Sequence, residues 1–306
     1  MLDALTGFVV VSVAILVGWV IGRVRLLGPH ARDVLMRLSF FVLSPFLLFV
    51  VLARADAGML FSSLLPVSAI AAVSVFAIHT VVARLVWRRP VGITTIGALS
   101  SGHVNANNIG LPLSLYLLGS AAYPAPVVLM QLLVFTPVSL TILDAVTSER
   151  TSLRRTVVRT ATNPIIIGSL LGAIVSVLGI PVPELVMEPV QLIANAAVPV
   201  LLISYGMSLP GQRVLGSRGH RRDIVLATTL KIVVMPVIAW AAAEFLFRLP
   251  PEQVLIVTVL AALPTAQNIF NFSQRYDIGE EISRDAVLLT TIGCLPAMLL
   301  IVTLLG

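Results

Sequence analysis

The stretch Ser100-Ser101-Gly102-His103-Val104-Asn105-Ala106-Asn107-Asn108-Ile109-Gly110-Leu111-Pro112 lies in the middle of an uncharged run over 90–143. Three asparagines, a histidine, two glycines and a proline are unusual company for such an apolar environment. A regular helix is not expected to pass through them. Pro112 has no N–H and its ring clashes with the carbonyl of Asn108, while Gly110 accepts dihedrals that other residues avoid. The sequence therefore predicts a helix broken around Gly110 and Pro112. Irregular backbone at membrane depth is tolerated where it is buried in protein or lines a cavity, so the break is a candidate site.

A second stretch repeats the theme: Leu263-Pro264-Thr265-Ala266-Gln267-Asn268-Ile269-Phe270-Asn271. Ala106-Asn107-Asn108-Ile109 aligns with Ala266-Gln267-Asn268-Ile269 at an offset of 160, and Gly119 and Gly279 keep that offset. Pro264 predicts a second break. A further match joins Pro45-Phe46-Leu47-Leu48-Phe49 to Pro199-Val200-Leu201-Leu202-Ile203. These correspondences indicate duplication within the chain.

The surrounding composition sets the environment. Of 306 residues, 58% are hydrophobic and 11% charged, and the mean hydropathy is +1.03. Soluble domains carry roughly 45–50% apolar and about 25% charged residues. A membrane-spanning helix needs about 20 apolar residues. Charges and Pro/Gly punctuation divide the chain into ten expected spans: 4–22, 35–53, 60–83, 92–118, 123–146, 163–182, 186–209, 224–247, 253–274 and 286–305. The fold class is thus expected to be all-α and integral to the membrane.

Charge counting sets the expected topology. Arg23, Arg25, Arg32 and Arg37 fall in the first connection, Arg84, Arg88 and Arg89 in the third, and Arg150, Arg154, Arg155 and Arg159 in the fifth. Arg213, Arg218, Arg221 and Arg222 follow in the seventh, and Arg275 and Arg284 in the ninth. Seventeen of the twenty basic residues are therefore assigned to one side, leaving Arg54 and Arg248 opposite and Lys231 within the eighth span. By the positive-inside rule the odd connections are cytoplasmic and both termini extracytoplasmic. Trp19, Trp87 and Trp240 fall near span ends, as interfacial aromatics do.

Five spans on each side of a basic connection place the halves in opposite orientation. The domain reading is a first five-helix repeat over 1–148, a cytoplasmic connection over 149–159, and an inverted second repeat over 160–306. Inverted repeats with discontinuous helices are a transporter signature. The net charge of +6 is spread among short connections, which argues against nucleic acid as a partner. The start Met1-Leu2-Asp3 lacks a basic n-region and reads as the first span, not as a removed signal peptide. Cys294, the sole cysteine, reads as a packing residue, and no cofactor is expected.

If the two broken helices cross, their N-terminal ends offer unpaired N–H groups and a partial positive field suited to a carboxylate. Asn105, Asn107, Asn108, Gln267 and Asn268 add amide donors, and neither broken segment holds Asp or Glu. Gln131, in the middle of the fifth span, is a further candidate contact. His103 is a candidate proton carrier, and Asp144 a candidate relay or an interfacial carboxylate. His79, Asn195 and Tyr205 read as helix–helix contacts, while Lys231 and Glu244 read as side chains reaching the headgroups. No HExxH, GxSxG or paired intramembrane carboxylates are present, which argues against an enzyme.

Four ordered features carry a family resemblance: Asn105 through Pro112 with Gly110 two residues before the proline, Asn163-Pro164, Pro199 through Gly206, and Leu263-Pro264 through Tyr276. Along nearly its whole length the chain resembles the auxin efflux carrier family, whose bacterial members are organic-acid permeases for malate or malonate. The resemblance implies ten helices. Helices 1, 2, 6 and 7 would form a scaffold, often dimeric, and helices 3–5 and 8–10 a moving, elevator-type domain with crossing helices 4 and 9. It implies Asn105 as a substrate contact, a small organic anion as substrate, a homodimer, and a multi-pass place in the inner membrane. A non-transporting ligand sensor on the same fold stays open as the alternative.

Overall fold

The computed structural model describes residues 2–28, 30–54, 63–147, 158, 162–207 and 219–306. Most of the 149–159 connection, with Arg150, Arg154, Arg155 and Arg159, lies outside the described residues, as do Arg213, Arg218 and the side chain of Tyr205. The described chain is helical. In order it forms α1 (Leu2–Val24), α2 (Ala31–Ala53), α3 (Leu64–Val86), α4 (Val91–Gly102), α5 (Leu111–Leu118), α6 (Ala125–Thr147) and α7 (Pro164–Val177). There follow α8 (Glu184–Asn195), α9 (Ala197–Met207), α10 (Arg221–Leu246), α11 (Pro251–Ala262), α12 (Asn268–Tyr276) and α13 (Glu280–Leu305). Among the described residues the one β-type feature is an isolated bridge between Val104 and Thr265.

Among the described residues six segments are long and apolar enough to cross a membrane: Ala31–Ala53, Leu64–Val86, Ala125–Thr147, Glu184–Ser204, Arg221–Leu246 and Glu280–Leu305. Shorter apolar helices occupy Ser12–Val24, Val91–Gly102, Pro164–Val177 and Pro251–Ala262. Large apolar side chains such as Leu16, Leu171, Val233 and Leu300 are exposed along these helices. An integral, multi-pass helical protein is the result.

Prolines leave a regular mark on the spans. Each of the π-turns Ser39–Leu43, Ala106–Gly110, Gln131–Phe135 and Leu230–Val234 ends two residues before a proline, at Pro45, Pro112, Pro137 and Pro236 respectively. A proline gives no hydrogen bond to the carbonyl four residues back and its ring pushes that carbonyl away. Widening the preceding turn by one residue relieves the clash without severing the helix. This is why the predicted break at Gly110 and Pro112 is not found there. Gly110 takes helical dihedrals of φ −63° and ψ −46°, and the interruption lies earlier, at 103–105, where α4 has ended at Gly102.

The chain divides into two compact units. The first comprises 1–62, 107–129 and 158–212. In it, α1 packs on α9 and α7 on α2. Glycines allow backbone to approach backbone in both pairs. A Cβ at Gly18 would overlap the Ile203 carbonyl and one at Gly206 the Ile15 carbonyl, while Gly168 and Gly172 face the carbonyls of Pro45 and Phe49. Gly18-x-x-x-Gly22 and Gly168-x-x-x-Gly172 thus follow the small-xxx-small spacing of membrane helix pairs.

The second unit comprises 63–106, 130–157 and 213–306. Its apolar core gathers Ile96, Leu99, Leu140, Leu143, Ala266, Ile269 and Tyr276. Here α3 ends in a turn with Arg88 at φ 53° and leads through Pro90 into α4, and α10 ends with Arg248 at φ 51° and leads through Pro250 into α11. His79 is fully buried on α3, its Nδ1 2.9 Å from the Ser101 hydroxyl of α4, so it joins the two helices.

Candidate functional site

Two interrupted helices meet in the second unit. After α4 the backbone extends through His103, Val104 and Asn105, and after α11 it extends through Leu263 and Pro264 towards α12. The two extended pieces run antiparallel and pair directly. The Asn105 N–H donates to the Pro264 carbonyl at 2.8 Å, and the Ala266 N–H to the His103 carbonyl at 2.8 Å. An unpaired backbone group in a water-free interior costs several kcal/mol, and this exchange removes the cost for both strands at once.

Side chains complete the accounting. The Thr265 N–H donates to the Thr290 hydroxyl at 2.9 Å, and the Thr265 hydroxyl donates to the Ser100 carbonyl at 2.6 Å. The His103 and Ala106 N–H groups bond the Leu99 and Val104 carbonyls at 2.9 and 2.8 Å. Pro264 fits because an extended segment needs no N–H from it. The crossover is a built structure.

The amides fall into different places. Asn105 and Gln267 are buried beside the bridge, and Asn268 is half-buried at the start of α12. The Gln267 carboxamide oxygen is buried with no partner among the described residues, and α12 has no side-chain cap at its N-terminus. Asn107 and Asn108 belong to the first unit, where the Asn107 amide donates to the Ser44 hydroxyl at 3.2 Å and to the Asn108 carboxamide oxygen at 2.9 Å. Gln131 is buried in the second unit at the start of the π-turn before Pro137, its carboxamide oxygen also without a partner among the described residues.

Asp144 differs from the sequence expectation of an interfacial group. It is buried, and the Tyr276 hydroxyl donates to it at 2.5 Å, tying α6 to the end of α12. His103 is buried, with Nδ1 lacking a partner among the described residues. Among those residues no cluster of His, Cys, Asp and Glu has the makings of a metal site. Cys294 is buried and bonds the Thr291 carbonyl of its own helix at 3.1 Å.

Lys231 corrects the sequence reading most sharply. It does not reach the headgroups but is fully buried, at 0% exposure. Its Nζ donates to the Ala261 carbonyl at 2.5 Å and contacts the Met235 sulfur at 3.2 Å. The π-turn before Pro236 carries the side chain, and the carbonyl end of α11 supplies the acceptor for its N–H. Glu244, by contrast, is exposed. The signal for Lys231 was in the sequence: it is the sole lysine beside nineteen arginines.

A family model described as "Membrane transport protein" matches residues 139–302, more than half of the chain. The chain belongs to that family. This is the auxin efflux carrier family whose motifs the crossover segments resemble. A relative of this membrane transport protein from Rhizobium meliloti (strain 1021), named "Putative malonate transporter", is 30% identical over 137 residues, or 44% of this chain. The matched part spans 41% of that relative's length.

Proposed function

We propose that this membrane transport protein carries small organic anions across a bilayer, with the substrate carboxylate held at the crossover. The observation that carries the reading is the backbone-paired crossover with two buried carboxamides, Asn105 and Gln267, beside it. An unpaired buried acceptor costs about 1–3 kcal/mol. A carboxamide that can turn its NH2 towards an incoming carboxylate gives that cost a purpose. The N-terminus of α12, where the Ile269 and Phe270 N–H groups already bond the Ala266 and Gln267 carbonyls, adds the favourable field of the helix end for the same anion. Malonate, named for the relative, is the first substrate to test.

The proposed architecture is ten spans in two inverted repeats, 1–148 and 160–306. Support comes from the matched local structure: α3, the turn at Arg88, Pro90 and α4 are followed 160 residues later by α10, the turn at Arg248, Pro250 and α11. Gly119 and Gly279 both adopt positive φ, 78° and 63°. Helices 1, 2, 6 and 7 of the ten form the proposed scaffold, and helices 3–5 and 8–10 the moving domain of an elevator. The grouping of α1, α2 and α7–α9 apart from α3, α4 and α10–α13 agrees with that division, whereas 107–129, with α5 and the start of α6, groups with the first set. A homodimer in the inner membrane with extracytoplasmic termini completes the proposal.

Ligand-induced stabilisation tests it, because a molecule that binds the native state raises the unfolding temperature. Purified protein should be stabilised by one class of carboxylates, and Asn105→Ala should lose that response while unfolding at nearly the wild-type temperature. Stabilisation by cations or neutral solutes alone would refute the organic-anion assignment.

A further inference from the structure

Nineteen of the twenty basic residues are arginine, which stays protonated in proteins; the twentieth is Lys231, the residue type that can exist there without its charge. Its side chain is among the largest that are fully buried. Nζ makes two contacts in which it donates, to the Ala261 carbonyl and the Met235 sulfur. A neutral amine has two N–H groups and a lone pair, whereas an ammonium has three N–H groups. Among the described residues two of the positions around Nζ are occupied, and neither partner is a carboxylate.

The charged and titratable neighbours can be named element by element. His103, at the end of α4, and Cys294, on α13, are within electrostatic reach of Nζ. On α10 itself Asp223 is occupied by Arg89, whose Nη2 lies 2.6 Å from it. At the start of α13, Asp285 is paired with Arg284 at 2.8 Å. His79 of α3 is bonded to Ser101, and Glu252 of α11 is exposed at the far end of that helix. Among the described residues no carboxylate forms an ion pair with Lys231. Ala261 lies in the last turn of α11, directly before the crossover strand. A buried cation there lacks a counter-charge until an anion arrives.

We propose that Lys231 is the proton-binding site of the transport cycle: an amine in the empty protein, it takes up one proton when a carboxylate occupies the crossover, so that each anion travels with one proton. The proposal rests on the organic-anion reading above. Anion and proton enter from the same side, the proton adds to the Nζ lone pair, and both leave on the other side. No covalent bond of the substrate changes. An arginine here would hold its charge through the whole cycle and bind the anion without coupling it to a proton.

Because Lys231 is the sole lysine, full-length protein labelled with ε-15N-lysine and placed in nanodiscs yields one lysine side-chain nitrogen signal. The expected shift is amine-like without malonate and ammonium-like with saturating malonate. An ammonium-like signal in both states, or an amine-like signal while malonate raises the unfolding temperature, would overturn the proposal. Proteoliposomes give a second measurement. Wild type should accumulate malonate down an inward proton gradient, and Lys231→Arg should still exchange malonate but lose the gradient-driven accumulation. Malonate exchange without any gradient response in wild type, or an undiminished response in Lys231→Arg, contradicts the role of Lys231 alone. Absence of both malonate exchange and malonate stabilisation in wild type contradicts the organic-anion reading, and this proposal with it.

Discussion

Asp144 shows how burial decides a residue's task. A carboxylate in a water-poor interior is stable only with donors close at hand, and the Tyr276 hydroxyl is one, 2.5 Å away. Tyr276→Phe keeps the ring and removes that donor. Hydrogen bonds to charged groups contribute about 1.5–3 kcal/mol, so this variant should unfold at a clearly lower temperature in detergent. Unchanged thermal unfolding would show that the bond contributes nothing net. Asp144 was legible in the sequence as a polar residue late in the fifth span. Its partner was not, because 132 residues separate the pair and no local pattern links them.

At the scale of elements, the prolines shape where polar side chains point. Lys231 lies on the π-turn ahead of Pro236, Asn107 and Asn108 on the one ahead of Pro112, and Gln131 opens the one ahead of Pro137. A π-turn inserts one residue into the helical register, which turns every preceding side chain relative to those that follow. Pro236→Ala restores the missing N–H and permits a regular α-turn. It should leave the thermal stability equal or higher and reduce carboxylate transport at equal protein level, because Lys231 is rotated away from Ala261. Full transport in that variant would show that the π-turn is incidental. The glycine contacts give a complementary prediction. Gly18→Val drives a branched side chain into the Ile203 carbonyl, and overpacking of this kind costs about 1–3 kcal/mol, visible as a lower unfolding temperature.

Both helix interruptions could be anticipated from sequence because amides, glycine and proline cluster in otherwise apolar runs. Their positions were less accessible. Pro264 falls inside an extended segment, whereas Pro112 is absorbed by a π-turn beyond the interruption. The antiparallel pairing of Val104 with Thr265 depends on a contact across 161 positions that hydropathy does not encode. Lys231 was misplaced for a related reason: its distance from the span end admits a route to the headgroups, and only packing reveals that the chain turns inward to Ala261.

For the whole molecule, the charge distribution makes a topological prediction. On a Cys294→Ser background, Gly306→Cys should react with an impermeant maleimide in intact cells, and Ser152→Cys only after permeabilisation. The reverse pattern would invert the proposed orientation. The central claim is that the crossover binds and moves an organic anion, and flux into proteoliposomes tests it most directly. Wild type should take up labelled malonate or a related carboxylate saturably, and Asn105→Ala, reconstituted at the same density, should fall to the level of empty liposomes. Carboxylate binding without uptake in wild type would mark a sensor, and undiminished uptake in Asn105→Ala would place the substrate away from the crossover.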